Sequence, residues 1–168
     1  KLPWRKKNNL NLPHPYFVFV SEYMLQQTTV NTVKKKFNEF ILKWPSLNKL
    51  AQTSEPNILK FWSGLGYYSR ARNLLKSAKI IKKNFKNNIP KTYDELIQLP
   101  GIGDYTAKAI LGIGYNKSVM PLDANIERIL VRLYAIDKPI NKVKNKLKDL
   151  GKKFISDKYS SNLIQSFM

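Results

Sequence analysis

The segment Leu99-Pro100-Gly101-Ile102-Gly103-Asp104-Tyr105-Thr106-Ala107 constrains the fold of this chain more than any other. An apolar helical pattern from Tyr93 to Leu99 runs into a Gly-x-Gly turn, and a second apolar pattern follows from Thr106 to Ile113. Glycines at 101 and 103 permit positive φ and a close approach of the backbone to a ligand. The first N–H groups of a helix have no intrahelical partner, and its positive end favours an anion. The segment reads as a helix–hairpin–helix, with Gly101, Gly103 and Thr106 as its backbone contacts.

Charge suggests which anion. Thirty Lys and Arg against 11 Asp and Glu give a net charge of +19. Such an excess favours a polyanionic partner, nucleic acid first and an anionic membrane surface second. The abundance of Lys, Asn and Ile is also what A+T-rich coding produces, so both causes contribute. The 168 residues suit one compact domain or two small lobes, and 43% hydrophobic residues can fill a core. Without cysteine the chain offers no disulfide and no thiolate metal site. No apolar run is long enough to span a bilayer and no signal peptide is visible. The sequence starts at Lys1 and stops at Met168 within a helical pattern, so a piece of a longer protein is expected.

The periodicity is helical almost throughout and predicts an all-α fold. Tyr16–Gln27 reads as a buried helix despite its aromatic and β-branched content. Val30–Leu42 is a second, with Lys34, Lys35 and Lys36 on its wet side and Trp44-Pro45 ending it. Ser54 is expected to cap Glu55–Trp62. Gly64 and Gly66 break the chain before a long helix, Tyr68–Phe85, striped by Leu74, Ala78, Ile81 and Phe85. Thr92 and Glu95 read as a capping box. Ala124–Ala135 and Val143–Phe154 complete the set. His14, between two prolines, reads as an ordinary loop residue.

Two carboxylates carry the chemistry. Glu22 lies within the most apolar helix, where burial should raise its pKa and make it a proton donor near neutrality. Asp123 precedes a helix, whose dipole and free N–H groups favour the anion. A neutral acid and an ionised partner are the pair that glycosidic cleavage needs, one to protonate the leaving group and one to support an oxocarbenium-like sugar. Each also has a plainer reading. Asp123 alone is an ordinary N-cap, and Glu22 alone could point to solvent or pair with a lysine.

Further residues fit a nucleic-acid reading. Gln26 and Gln27 are expected one turn beyond Glu22 on its helix. Tyr67 and Tyr68 follow a glycine-rich turn, where an aromatic ring could wedge into a base stack or simply pack at a helix start. Arg70 and Arg72 suit phosphates. Trp4 and Arg5 could hold an extruded base or be loose terminal residues. The lysine runs at 82–83 and 142–153 read as solvated faces that add nonspecific attraction to DNA.

Five segments together resemble the adenine DNA glycosylases of the helix–hairpin–helix superfamily. They are Leu2–Arg5, Ser21–Thr28, Trp62–Arg72, Leu99–Ala107 and Leu122–Asn125, in family order. The resemblance implies a two-lobed helix–hairpin–helix glycosylase core: a six-helix lobe over residues 10–118, and a second lobe from 1–9 with 119–168. It implies excision of adenine mispaired with 8-oxoguanine or guanine in double-stranded DNA during base excision repair. By position Glu22 corresponds to the catalytic acid, Asp123 to the carboxylate that stabilises the sugar cation, Asn125 to an active-site amide and Tyr105 to a tyrosine against the acid. Gln27 and Tyr68 correspond to residues inserted into DNA, and Trp4, Arg5 and Leu25 to the adenine pocket.

The resemblance also implies a [4Fe-4S] cluster, whose ligands are absent from these residues, and a monovalent cation at the hairpin. A monomer in the bacterial cytoplasm, associated with the nucleoid and not with a membrane, completes the expectation. One departure is Ala124 where the family has glycine. Endonuclease III is similar in fold but uses a hairpin lysine as a Schiff-base nucleophile. Tyr105 holds that position here, and Lys108 lies one turn on, so a monofunctional hydrolase is expected. The alternatives are an endonuclease III-like glycosylase/lyase and a noncatalytic DNA-binding module.

Overall fold

A computed structural model describes residues 2–7, 11–155 and 158–167. Lys1, Met168 and residue 10, the expected lobe boundary, lie outside the described residues. Among those described, ten helices follow a short 3-10 turn at Pro3–Arg5, and the sole extended pairing is an isolated bridge between Lys7 and Pro13.

Helix α1 (Pro15–Leu25) is the hub. It is apolar on every side, and eight of its eleven residues are buried, from Tyr16 to Met24. A helix of that kind is stable only when surrounded. It is packed by α2 (Val30–Lys43), α5 (Ser69–Asn84), the N-terminal turn, α7 (Asp104–Ala109) and the π-helical turn at Ile110–Gly114. Proline opens α1, and His14 is its N-cap, with Nδ1 accepting from the Tyr16 N–H at 3.2 Å. His14 is thus a cap where an ordinary loop residue was expected.

Helices α3 (Leu47–Ala51) and α4 (Glu55–Trp62) lean on α5, whose stripe Leu74, Ala78 and Ile81 is fully buried. The five-residue α3 had no periodic signature. With it, residues 11–118 hold seven helices among the described residues, not six. Ser54 precedes α4 without a capping hydrogen bond. Thr92 caps α6 (Tyr93–Ile97) through the Glu95 N–H, but the Glu95 carboxylate takes the Thr92 hydroxyl at 2.6 Å, so the box closes through the side chain.

Three later helices complete the fold. In α8 (Ala124–Leu133), Ile126 and Leu130 are buried and α8 packs against α9 (Ile140–Lys152), whose Val143, Leu147 and Leu150 keep their helical spacing. Helix α10 (Ser160–Phe167) packs on the π turn. A Cβ at Gly112 would stand 2.2 Å from Ile164, so glycine there permits the approach. The Ser161 hydroxyl donates to the Ile113 carbonyl at 2.8 Å, satisfying the irregular turn.

Candidate active site

The hairpin turn lies between α6 and α7. Gly101 has φ +79°, and a Cβ there would meet Asn73 at 2.9 Å and Tyr23 at 3.1 Å, so glycine is required on both counts. Gly103 differs from expectation: its φ of −101° is open to any residue. As N-cap it offers no side chain to the first N–H groups of α7. Thr106, expected at a DNA contact, has its side chain buried, so only its backbone amide can serve there.

The turn is tied to α1. The Pro100 carbonyl accepts from the Tyr23 and Ser77 hydroxyls, the Gly101 carbonyl from Gln26 Nε2 at 3.1 Å, and the Leu99 carbonyl from the Ile102 N–H. The Pro100 carbonyl accepts two bonds in this way, while those of Leu99 and Gly101 accept one each and keep a lone pair for the expected monovalent cation.

Beside the hairpin a cleft of about 450 Å³ is lined by Glu22, Tyr105, Asp123, Asn125, Arg5, Trp4 and Leu25, together with Leu2, Gln26, Thr28, Val30 and Gln165. Helix α1 supplies Glu22, α7 supplies Tyr105, and the start of α8 supplies Asp123 and Asn125. The N-terminal turn is no loose end. Trp4 is fully buried edge-on to Phe37 with centroids 5.5 Å apart, and it fixes Arg5, whose Nη2 lies 3.8 Å from Glu22 Oε1. Burial pulls the Arg5 guanidinium down against the opposing pull of Glu22.

Glu22 is 3% exposed, and its carboxyl is pushed up to about 7. Burial is the main cause; Arg5 opposes it, Asp123 adds to it, and a hydrogen bond with the Tyr105 phenol opposes it. The influence of Asp123 places the two carboxylates in one electrostatic neighbourhood. Burial also raises the Tyr105 phenol far above its usual range, so it stays a neutral donor. Asp123 is a true N-cap, accepting from the Ile126 N–H at 2.8 Å, while Asn125 Nδ2 approaches its other oxygen at 3.4 Å. Capping and cleft-lining are therefore one geometry, and the plainer reading of Asp123 is not a rival to the chemical one. Ala124 adopts no positive φ, so alanine fits where glycine was expected. Two polar atoms on this cleft, Trp4 Nε1 and Glu22 Oε1, are buried without a hydrogen-bond partner.

Outside the cleft the expectations divide. Gln26 and Gln27 leave the helix: Gln26 ends α1 at ψ 111°, and Gln27 has φ +54°. Tyr67 and Tyr68 are 62% and 43% exposed, and Tyr67 has φ +46°. Arg72 pairs with Glu55 at 2.8 Å and remains half exposed. Arg70 departs most from expectation. It is 6% exposed, with its guanidinium among backbone carbonyls, so it is not available to a phosphate. Lys108 Nζ pairs with Asp104 at 2.8 Å and is absent from the Glu22 cleft. Leu2, Thr28, Val30 and Gln165 also line the cleft, beyond the pocket residues that the sequence suggests. Leu2 and Thr28 sit in motif segments, whereas Gln165 arrives from a distant helix with no local signature.

Fold and site together define a class: the chain belongs to the HhH-GPD superfamily of base excision DNA repair proteins, whose family pattern matches residues 20–153. It is similar to the adenine DNA glycosylase of Buchnera aphidicola subsp. Baizongia pistaciae (strain Bp), with 48% identity over 136 residues covering 81% of this chain and 37% of that protein. The chain spans well under half the length of the curated relatives it matches. Among solved structures it resembles a thermostable thymine-DNA glycosylase, with a TM-score of 0.82 and 24% identity over 99% of this chain and 77% of the other. It also resembles endonuclease III trapped as a covalent DNA intermediate, with a TM-score of 0.77 and 20% identity over 92% and 72%. At those identities the two likenesses establish the fold alone. An iron–sulfur cluster does not fit the residues present: the chain has no cysteine, and the described residues include no metal-binding group of His, Asp or Glu.

Proposed function

We propose that the chain is the catalytic core of an adenine DNA glycosylase that hydrolyses the N-glycosidic bond of adenine mispaired with 8-oxoguanine or guanine. One observation carries the reading: Glu22, held near pKa 7, and Asp123 at a helix start line one cleft. In this reading the hairpin and basic faces dock DNA phosphates, and adenine enters the cleft. Glu22 protonates the purine, the C–N bond breaks with the electron pair leaving on the base, and Asp123 supports the cationic sugar until water attacks. The Trp4 Nε1–H, which has no hydrogen-bond partner, and Glu22 Oε1, which has only the 3.8 Å ion pair to Arg5 and no hydrogen bond, are what a pocket keeps for a polar ligand.

Tyr105 in place of a nucleophilic lysine, and Lys108 tied to Asp104, support hydrolysis without strand scission. The lobes would divide at about the expected boundaries, 10–118 against 1–9 with 119–168, with the cleft between them. In this reading the protein acts on DNA as a monomer in the bacterial cytoplasm; among the described residues no helix is long and apolar enough to cross a membrane.

The test is a duplex carrying adenine opposite 8-oxoguanine. Free adenine and an intact, alkali-labile strand are expected. A borohydride-trapped protein–DNA adduct would favour the lyase alternative, and binding without base release the noncatalytic one.

A further inference from the structure

Arg70 is a buried cation with an unusual set of partners. Its Nη1 donates to the carbonyls of Tyr23, of Met24 at 2.8 Å and of Gln26, all at the end of α1. Its Nη2 donates to Leu65 at 2.7 Å and Gly66 at 3.0 Å in the glycine turn, and to Thr28 Oγ1 at 2.9 Å. The guanidinium also lies over the Tyr67 ring at 5.6 Å and the Trp62 ring at 5.7 Å. One planar fork thus joins two loops that are distant in sequence. Each loop projects an exposed non-glycine residue with positive φ, Gln27 at +54° and Tyr67 at +46°. Backbone held in that region persists only where its surroundings enforce it.

We propose that Arg70 is a positioning residue that locks the 26–28 and 64–67 loops together, so that Gln27 and Tyr67 stand as one preformed wedge for the DNA duplex. The proposal rests on the base-extrusion reading above and explains why an arginine in a DNA-facing motif is withheld from DNA. A wedge that must part stacked bases does so only if it does not collapse under the load, and a double-ended clamp supplies that rigidity. A lysine would keep the charge but, as a point donor, could not span both sets of carbonyls.

Arg70→Lys therefore separates the roles, because lysine would rescue a phosphate contact but not a fork. Two readouts are needed. In the free protein, amide hydrogen exchange at residues 26–28 and 65–67 should quicken about tenfold or more while α9 is unchanged. On a duplex with 2-aminopurine beside an adenine opposite 8-oxoguanine, the fluorescence gain of unstacking should fall about fivefold; in a Tyr67→Ala background the same change should add less than about twofold.

Exchange unchanged in either loop overturns the clamp, as does an undiminished effect in the Tyr67→Ala background. A wild-type protein that gives no fluorescence gain defeats the base-extrusion reading, while the exchange measurement still judges the clamp. Should Arg70→Lys lose its helical circular dichroism, Thr28→Val deletes one acceptor of the fork. It should quicken exchange at 65–67 about threefold, and no change there counts against the proposal.

Discussion

Replacing Glu22 by glutamine should make the folded protein more stable in alkaline solution while removing its chemistry. The folded carboxyl is raised from 4.5 to about 7, chiefly by burial. Between these values the folded state binds more protons than the unfolded state, so stability falls as pH rises through the window. At about 1.4 kcal/mol per tenfold change, the ionised carboxylate costs the fold roughly 3 kcal/mol once pH is well above 7. A domain of this size has about 5–15 kcal/mol in all, so the effect is measurable. Glutamine mimics the protonated acid and has nothing to lose.

Urea denaturation followed by circular dichroism, from about pH 4 to pH 9, reads the difference between the two proteins; titrating groups that do not interact with Glu22 cancel in it. The difference should be small at the acid end and grow to roughly 3 kcal/mol in favour of Glu22→Gln at the alkaline end. Parallel curves would mean that Glu22 titrates as an ordinary exposed carboxylate, and the argument for a buried proton donor would fail.

Other outcomes follow from the same geometry. Tyr105→Phe removes a hydrogen bond that holds the Glu22 pKa down, so the alkaline limb of the base-release profile should move to higher pH; a limb that stays or moves down contradicts the assignment. Gly101→Ala forces a side chain into a left-handed position against Asn73 and Tyr23 and should cost about 1–3 kcal/mol in chemical denaturation. Gly103→Ala meets nothing within 4 Å and should cost less than about 1 kcal/mol. Trp4→Ala should cost about 3–5 kcal/mol, since the ring is fully buried, and should release Arg5 from the cleft. Equal stability of Trp4→Ala and wild type would mean that the N-terminal arm is not docked.

The helices that periodicity found are those with a long apolar stripe, and α1 and α5 stand within a residue or two of their expected bounds. The short α3 escaped because five residues complete barely more than one turn and leave no repeat to detect. Glu22 was legible because a lone charge in an all-apolar helix must be buried with it, and Asp123 because an N-cap position fixes where its carboxyl sits. The role of Arg70 is not legible for a physical reason: sequence shows a cation beside exposed tyrosines but not the carbonyls that two loop ends turn inward toward it. Gln26 and Gln27 likewise lie beyond the helix because α1 ends at Leu25, two residues earlier than its pattern. The cleft itself, with Gln165 brought in by α10, is a product of tertiary packing and has no local trace.

Single-turnover release of adenine from a duplex with adenine opposite 8-oxoguanine, compared for wild type, Glu22→Gln and Asp123→Asn at equal occupancy of DNA, most directly asks whether two carboxyl groups around one cleft do the work. Release by wild type alone, with duplex affinity kept in both variants, is the expected result. Undiminished release by either variant would contradict the mechanism at its root.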